Sequence, residues 1–322
     1  MNEFELIRTY FAAQGLARDD VVVSIGDDAA VVRPPLGMEA VLTTDMLVAD
    51  THFFADAEPR SIGYKALAVN LSDLAAMGAE PAWFTLDLSL PRVDPLWLQA
   101  FARGLFELAD RHRVQLVGGD TVRGPLAVAI QLCGFVPAGT ALRRAGAAVG
   151  DGIYVTGTLG DAALALLQRQ AKLTFSTSEA ARVQRRLDYP QPRLVAGAAL
   201  RTVATSCIDI SDGLIADLGH ILEASGVGAR IALERIPFSQ TYRRYQQRVG
   251  GWDLALVNGD DYELCFTVPP GRQPELASLL SGCGCDISYV GDIEVEPGLR
   301  VVDAKGNSHV PVQGGYEHFR AE

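Results

Sequence analysis

Lysine is nearly missing from this chain. Of its 28 basic residues only Lys65, Lys172 and Lys305 are lysine, and the acids outnumber the bases to a net charge of −11. That balance argues against non-specific binding of nucleic acid or of anionic membranes. No Gly-Lys pair occurs, so there is no Walker A loop. The valine-alanine-isoleucine-lysine strand and the histidine-arginine-aspartate loop are missing, which removes the protein kinases. No Gly-x-Gly-x-x-Gly opens a helix, and His-Glu-x-x-His is absent. No apolar run approaches the roughly 20 residues that span a bilayer. The opening Met1-Asn2-Glu3-Phe4-Glu5 puts acid where a signal peptide needs base, so a cytoplasmic location is expected. Cysteine is scarce and odd in number: Cys133, Cys207, Cys265, Cys283 and Cys285. Their apolar settings fit reduced thiols, and Cys283-Gly284-Cys285 has the wrong spacing for a Cys-x-x-Cys pair.

What is present is a globular chain. It is 48% apolar and 21% charged over 322 residues, too long for one ordinary core, so two domains are expected. Helical spacing marks residues 3–14, 59–77 and 95–112. Short strands are expected near 21–25, 29–33, 40–45, 82–90, 114–118 and 126–136. Residues 137–150, rich in Gly, Ala and Arg without a strong period, read as a boundary. The expected domains are 1–138, an α+β unit, and 139–322, an α/β unit. In the second, helices are expected near 160–171, 178–187, 192–204, 213–225 and 273–281. Its strands are expected near 207–210, 229–233, 262–268, 286–291 and 299–303, giving an α/β layer pattern.

The most informative pattern is an acid placed at the end of a β-branched run. It occurs at Gly26-Asp27-Asp28, at Thr43-Thr44-Asp45, at Gly118-Gly119-Asp120 and at Ile208-Asp209-Ile210-Ser211-Asp212. Two carboxylates ~4 Å apart repel by roughly 4 kcal/mol at an effective dielectric near 20. Converging carboxylates therefore take up protons or cations, and oxygen-only ligands select hard ions such as Mg²⁺. A single such aspartate is an ordinary strand cap or turn; the repetition of one design is the signal. Asp73 stands three residues after Asn70, on one face of an otherwise apolar helix. It is either a ligand aimed into a cleft or part of a buried hydrogen-bond pair.

Other candidates are weaker singly. Ser211 and Asp212 stand where a helix would open, and helix N-termini favour phosphate. Asn258-Gly259-Asp260-Asp261-Tyr262-Glu263 carries more acid than a turn needs. Arg123, Arg143 and Arg144 offer guanidinium forks that match phosphate, with Arg144 in the boundary stretch. His52 follows Asp45 and could face the same cleft, or be an ordinary polar histidine.

In this order the motifs resemble the thiamine-monophosphate kinase family, in the superfamily that also holds aminoimidazole ribonucleotide synthetase and selenophosphate synthetase. The resemblance runs through Gly26-Asp27-Asp28-Ala29-Ala30, Thr43-Thr44-Asp45, His52-Phe53 and Lys65 to Asp73. It continues at Gly118-Gly119-Asp120-Thr121, Tyr154 to Thr158, Asp209 to Leu214 and Asp261-Tyr262-Glu263-Leu264, and ends at Gly314-Gly315-Tyr316-Glu317-His318-Phe319. It implies an N-terminal α+β domain whose sheet joins a homodimer barrel, and a layered α/β C-terminal domain that completes the active site. It implies ATP as co-substrate, thiamine monophosphate as acceptor, thiamine diphosphate as product, and several Mg²⁺ ions. By position, Asp28, Thr43, Thr44, Asp45, Asp73, Asp120, Asp209 and Asp212 resemble metal ligands. Gly119, Asp120, Arg144 and Ser211 resemble nucleotide contacts. His52, Asp260 and Tyr316 resemble substrate contacts. One departure stands out: the family usually has glutamate where Asp260 is, one methylene longer, a gap that a water can bridge.

The acceptor phosphate is ionised near neutral pH, so the expected catalysis rests on alignment and charge neutralisation. Asp45, Asp73 and Asp120 are the expected catalytic set, holding ions over the transferring phosphoryl group. Two rival readings are a cyclising synthetase acting on a ribonucleotide amide and an acidic Mg²⁺–nucleotide sensor without turnover.

Overall fold

The computed structural model describes residues 2–311. The chain divides into two compact units, one of Met1–Leu74 and Ala79–Thr140, the other of Ala75–Gly78 and Ala141–Glu322. In the first, α1 (Glu3–Ile7) continues as a π-helical turn (Arg8–Ala12), so the helix expected over 3–14 runs to residue 12, its second half π-helical. A small hairpin, β1 (Val21–Val23) with β2 (Val31–Val32), carries Asp27 and Asp28 in its loop. Then follow β3 (Met38–Val48), α2 (Pro59–Ala76), β4 (Glu80–Leu90), α3 (Pro95–His112), β5 (Gln115–Arg123) and β6 (Ala127–Pro137).

These four longer strands form one sheet in the order β3-β6-β4-β5. β4 and β5 run parallel, as a crossover through α3 requires, and the other pairs are antiparallel. The boundaries of α3 follow from local chemistry. Asp94 caps it by accepting the N–H groups of Leu96 and Trp97, Pro95 occupies the first turn, and Arg113 ends it in the left-handed region. Helices α2 and α3 approach closely at two glycines. A Cβ on Gly63 would stand 2.1 Å from the Phe101 carbonyl oxygen, and one on Gly104 1.9 Å from that of Arg60. Leu67, Leu71, Leu98, Phe101 and Leu105 are wholly buried.

The second unit contains β7 (Gly152–Thr156), α4 (Asp161–Arg169), α5 (Thr177–Asp188), α6 (Leu194–Leu200), β8 (Ser206–Asp209) and α7 (Leu214–Ser225). It continues with β9 (Gly228–Ala232), α8 (Gln240–Tyr245), α9 (Asp253–Val257), β10 (Leu264–Val268), α10 (Leu276–Leu279), β11 (Ile287–Glu294), β12 (Gly298–Val302) and β13 (Ser308–His309). The sheet order is β13-β12-β9-β11-β7-β10-β8. Among its described strands only β9 and β12 pair in parallel. Every residue of β8 and β10 is buried, so helices and loops cover both faces of that edge of the sheet.

The short helices α8 and α9 have no counterpart in the sequence reading, because five or six residues are too few to establish a period. The helix expected over 273–281 is a 3₁₀ turn followed by the single turn of α10. All five cysteines are free thiols, with Cys207 and Cys265 fully buried. Among the described residues no helix is long and apolar enough to cross a membrane.

Candidate functional site

The first unit assembles oxygen donors along one strip. Strand alternation puts Thr43 and Asp45 on the same face of β3. The Thr43 hydroxyl donates to the Asp73 carboxylate on α2. Asn70, one helical turn before Asp73, is fully buried; its Oδ1 accepts the Asp45 N–H at 3.1 Å while its Nδ2 donates to the Ala66 carbonyl. Asn70 is thus a buried hydrogen-bonding group, and Asp73 is half-buried beside β3. Thr44 does not join this strip. It points to the opposite face and its hydroxyl donates to the Ile130 carbonyl at 3.1 Å.

Asp28, in the β1–β2 loop, and Asp120, which the structure places inside β5 rather than at a strand end, are both exposed. The Asp28 N–H is held by Asp27 Oδ1 at 2.9 Å. Gly119 has φ +139°, and a Cβ there would stand 1.9 Å from the Leu86 carbonyl oxygen, so only glycine lets β5 pass this close to β4. The Asp120 N–H donates to Asp87 Oδ1 at 2.9 Å, and Asp120 Oδ1 accepts the Thr121 N–H at 2.8 Å. His52 is half-buried; its Nδ1 accepts the Val48 N–H at 3.0 Å, so a neutral ring carries its proton on Nε2.

In the second unit Asp209 is buried at the end of β8, and Ser211 and Asp212 follow in a half-buried loop. Ser211 or Asp212 was expected to cap the next helix, and the structure puts Gly213 there instead. Gly213 precedes α7 without a side-chain cap, and the N–H groups of Ser211, Asp212 and Gly213 all donate to Asp217 Oδ2 at 3.1 Å. A carboxylate of the chain thus gathers the three N–H groups that lead into α7. Burial pushes the Asp217 carboxyl up to about 7, against the pull of these N–H bonds.

The loop carrying Asp260 packs against the same stretch. Asp260 N–H donates to the Ser211 carbonyl and Tyr262 N–H to that of Ile210, each at 2.9 Å. Asp260 and Tyr262 both have positive φ, +67° and +50°, a conformation that costs a non-glycine residue roughly 1–2 kcal/mol. Buried anchors on either side hold it. Asp261 accepts the Gly160 N–H, and burial raises its carboxyl well above the usual range although the Arg186 charge acts the other way. Glu263, with a side chain 1% exposed, is bound by Arg193, Arg186 and the Thr156 hydroxyl at 2.5–2.8 Å. Arg144 is exposed; its carbonyl accepts from the Ser225 hydroxyl. Tyr316, with the rest of its C-terminal motif, lies outside the described residues.

Asp87, Asp217, Arg186 and Arg193 escaped the sequence reading. Asp87 sits inside an alternating strand and Asp217 inside a helix, where an acid signals only a solvated position. Among the described residues no three Asp, Glu, His or Cys side chains stand together as a ready metal group. The donor chemistry nonetheless suits a hard cation: the strip of Thr43, Asp45 and Asp73 offers oxygen only, partly shielded from water.

Comparison with known proteins gives a consistent family. Residues 26–136 match the model of the AIR synthase related protein N-terminal domain, and residues 148–304 that of its C-terminal domain. The chain is 46% identical to the thiamine-monophosphate kinase of Salmonella typhimurium, over 98% of each chain. The crystal structure of thiamine-monophosphate kinase from Stenotrophomonas maltophilia is 43% identical, with a TM-score of 0.85, over 91% of this chain and 93% of that one. A ThiL protein complexed with AMPPCP and TMP is 32% identical, with a TM-score of 0.77, over 92% of each chain.

Proposed function

Since the chain belongs to the AIR synthase related family and, within it, to the thiamine-monophosphate kinases, we propose that it uses ATP to phosphorylate thiamine monophosphate to thiamine diphosphate. It is an enzyme, a thiamine-phosphate kinase. The observation that carries the choice of substrates is the similarity, along nearly the whole chain, to a protein solved with an ATP analogue and TMP.

In the proposed reaction a terminal phosphate oxygen of thiamine monophosphate attacks the γ-phosphorus of ATP in line. The new P–O bond forms as the bond to the β-phosphate oxygen breaks, and ADP leaves with that electron pair. The attacking phosphate is already ionised near neutral pH, so no residue has to remove a proton. The residues that would hold Mg²⁺ are Asp28, Thr43, Thr44, Asp45, Asp73, Asp120, Asp209 and Asp212. Bound there, Mg²⁺ would supply the positive charge that a chain with three lysines lacks. Thr44 would take part through its backbone, because its side chain points to the opposite face of β3 from Thr43 and Asp45. Asp45, Asp73 and Asp120 form the catalytic set. Gly119, Asp120, Arg144 and Ser211 meet the nucleotide, Ser211 through its side chain since its N–H serves Asp217. His52, Asp260 and Tyr316 meet the acceptor, with Asp260 preset by its left-handed backbone.

The domain roles follow the same reading: residues 1–138 bind ATP and metal and form the dimer, and residues 139–322 complete the active site. The enzyme works in the cytoplasm as a homodimer. Leu42 and Met46 leave an apolar edge on one face of β3, 66% and 60% exposed, which a second copy of the sheet would cover. Incubation with thiamine monophosphate, ATP and Mg²⁺ tests the reaction: thiamine diphosphate and ADP should form in equal amounts, and a chelator should stop both. Hydrolysis of ATP without thiamine diphosphate would sink the proposal.

A further inference from the structure

Four of the six aspartates read as metal ligands share a feature that the reaction alone does not require. The backbone N–H of each is held by a side-chain oxygen: Asp28 by Asp27, Asp45 by Asn70, Asp120 by Asp87 and Asp212 by Asp217, at 2.9–3.1 Å. A peptide N–H fixed in this way fixes the direction in which the Cα–Cβ bond leaves the chain. A ligand carboxylate gains from this, because a small rotation of its root moves its oxygens by an ångström or more.

Asp87 is the member of the set least expected from the sequence. It lies on β4 directly across the parallel ladder from Asp120. The peptide before it needs the room that Gly119 leaves, since a side chain there would collide with the Leu86 carbonyl. The segment is thereby pressed onto β4 at Leu86, and the next side chain along, Asp87, receives the Asp120 N–H. On the far side the Thr121 N–H holds Asp120 Oδ1. Asp120 is thus fixed at its backbone and at one carboxylate oxygen, although the residue itself is exposed to solvent. An exposed side chain without such restraint samples several rotamers and loses that freedom on binding an ion.

We propose that Asp87 is a positioning residue: by accepting the Asp120 N–H it orients the Asp120 carboxylate toward the cation. The role is that of an acceptor, not of a second charge, and it rests on the reading of Asp120 as a metal ligand. Asparagine also presents an acceptor oxygen at this position, whereas alanine presents none. Asn70 already does the same for Asp45 without a charge.

The test measures Mn²⁺ binding to the whole protein by electron paramagnetic resonance, with a non-hydrolysable ATP analogue, for the wild type, Asp87→Ala and Asp87→Asn. Asp87→Ala should weaken Mn²⁺ binding about 10-fold or more, the usual range for groups that orient a ligand. Asp87→Asn should restore most of it. The Mg²⁺ concentration for half-maximal turnover should move in parallel, while the KM for thiamine monophosphate stays put. Unchanged Mn²⁺ binding in Asp87→Ala overturns the proposal. So does an Asp87→Asn protein as weak as Asp87→Ala, since that result makes the charge itself the active element. Asp87 is exposed, and a thermal melt of each variant reports whether the fold is kept. A wild type that binds Mn²⁺ but makes no thiamine diphosphate counts against the kinase reading alone, because the binding comparison stands without turnover.

Discussion

The two units of this protein handle buried and clustered acids in opposite ways. In the first, Asp28 in the β1–β2 loop and Asp120 on β5 stay exposed to solvent and Asp45 and Asp73 lie at a half-buried strip, each with a side-chain partner close by. In the second, Asp217, Asp261 and Glu263 are taken inside and satisfied by backbone N–H groups or by arginine. The first arrangement keeps these carboxylates near solvent, at small cost in desolvation. The second uses buried carboxyl groups as internal acceptors that hold two loops in shape. The lesson is that an acid near a motif is not thereby a ligand; burial and partner decide which of the two jobs it does.

The largest effect should come from removing an internal anion. Glu263→Ala leaves Arg186 and Arg193 facing each other in a buried site without their carboxylate. We expect a loss of about 3–5 kcal/mol of stability, measured by urea denaturation. A nearly unchanged midpoint would break the contrast, by showing that the second unit's acids do not hold its fold. Asp73→Asn probes the other side. Turnover should drop about 100-fold, equivalent to roughly 2.7 kcal/mol, with little change in the melting temperature. Near-normal turnover at saturating Mg²⁺ would remove Asp73 from the catalytic set.

A smaller effect is expected of Gly119→Ala. Its added methyl meets the Leu86 carbonyl in a backbone region that disfavours side chains. A cost of roughly 1–3 kcal/mol should appear in the denaturation midpoint. Wild-type stability in that variant would deny the close passage of β5 over β4. The gentlest test is of pH. Burial raises the folded-state pKa of Asp261 above its unfolded value, so its contribution to stability is complete below the unfolded pKa and is lost as pH rises through the folded one. Melting temperatures recorded from acid to neutral pH should therefore fall less steeply for Asp261→Asn than for the wild type. Parallel curves would mean that Asp261 is not the buried acid described above.

Much of the scaffold was legible from local signals. The helix over 95–112 was readable because it has a capping aspartate, a proline in its first turn and an apolar stripe. Asp45 and Asp73 stood out because acids interrupt apolar, β-branched or small-residue runs. The helices over 240–245 and 253–257 were not readable, because they are held by tertiary packing and lack a period of their own. Glu263 was visible only as an acid in a turn; its two arginine partners lie 70 and 77 residues away in the chain. Thr43 and Thr44 looked equivalent in sequence, and the two-residue period of a strand sends them to opposite faces.

The sequence by itself determined the family, the order of strands and helices in the first unit and the oxygen-only chemistry of the candidate ligands, since each depends on residue types at short spacing. Tertiary structure alone decided which N–H groups are already taken. Asp217 takes the N–H groups of Ser211, Asp212 and Gly213 just ahead of α7, and Asp87 reaches Asp120 across 33 residues of chain. Hydrogen bonds of that length depend on how strands and loops are brought together, and no local pattern of residues records them.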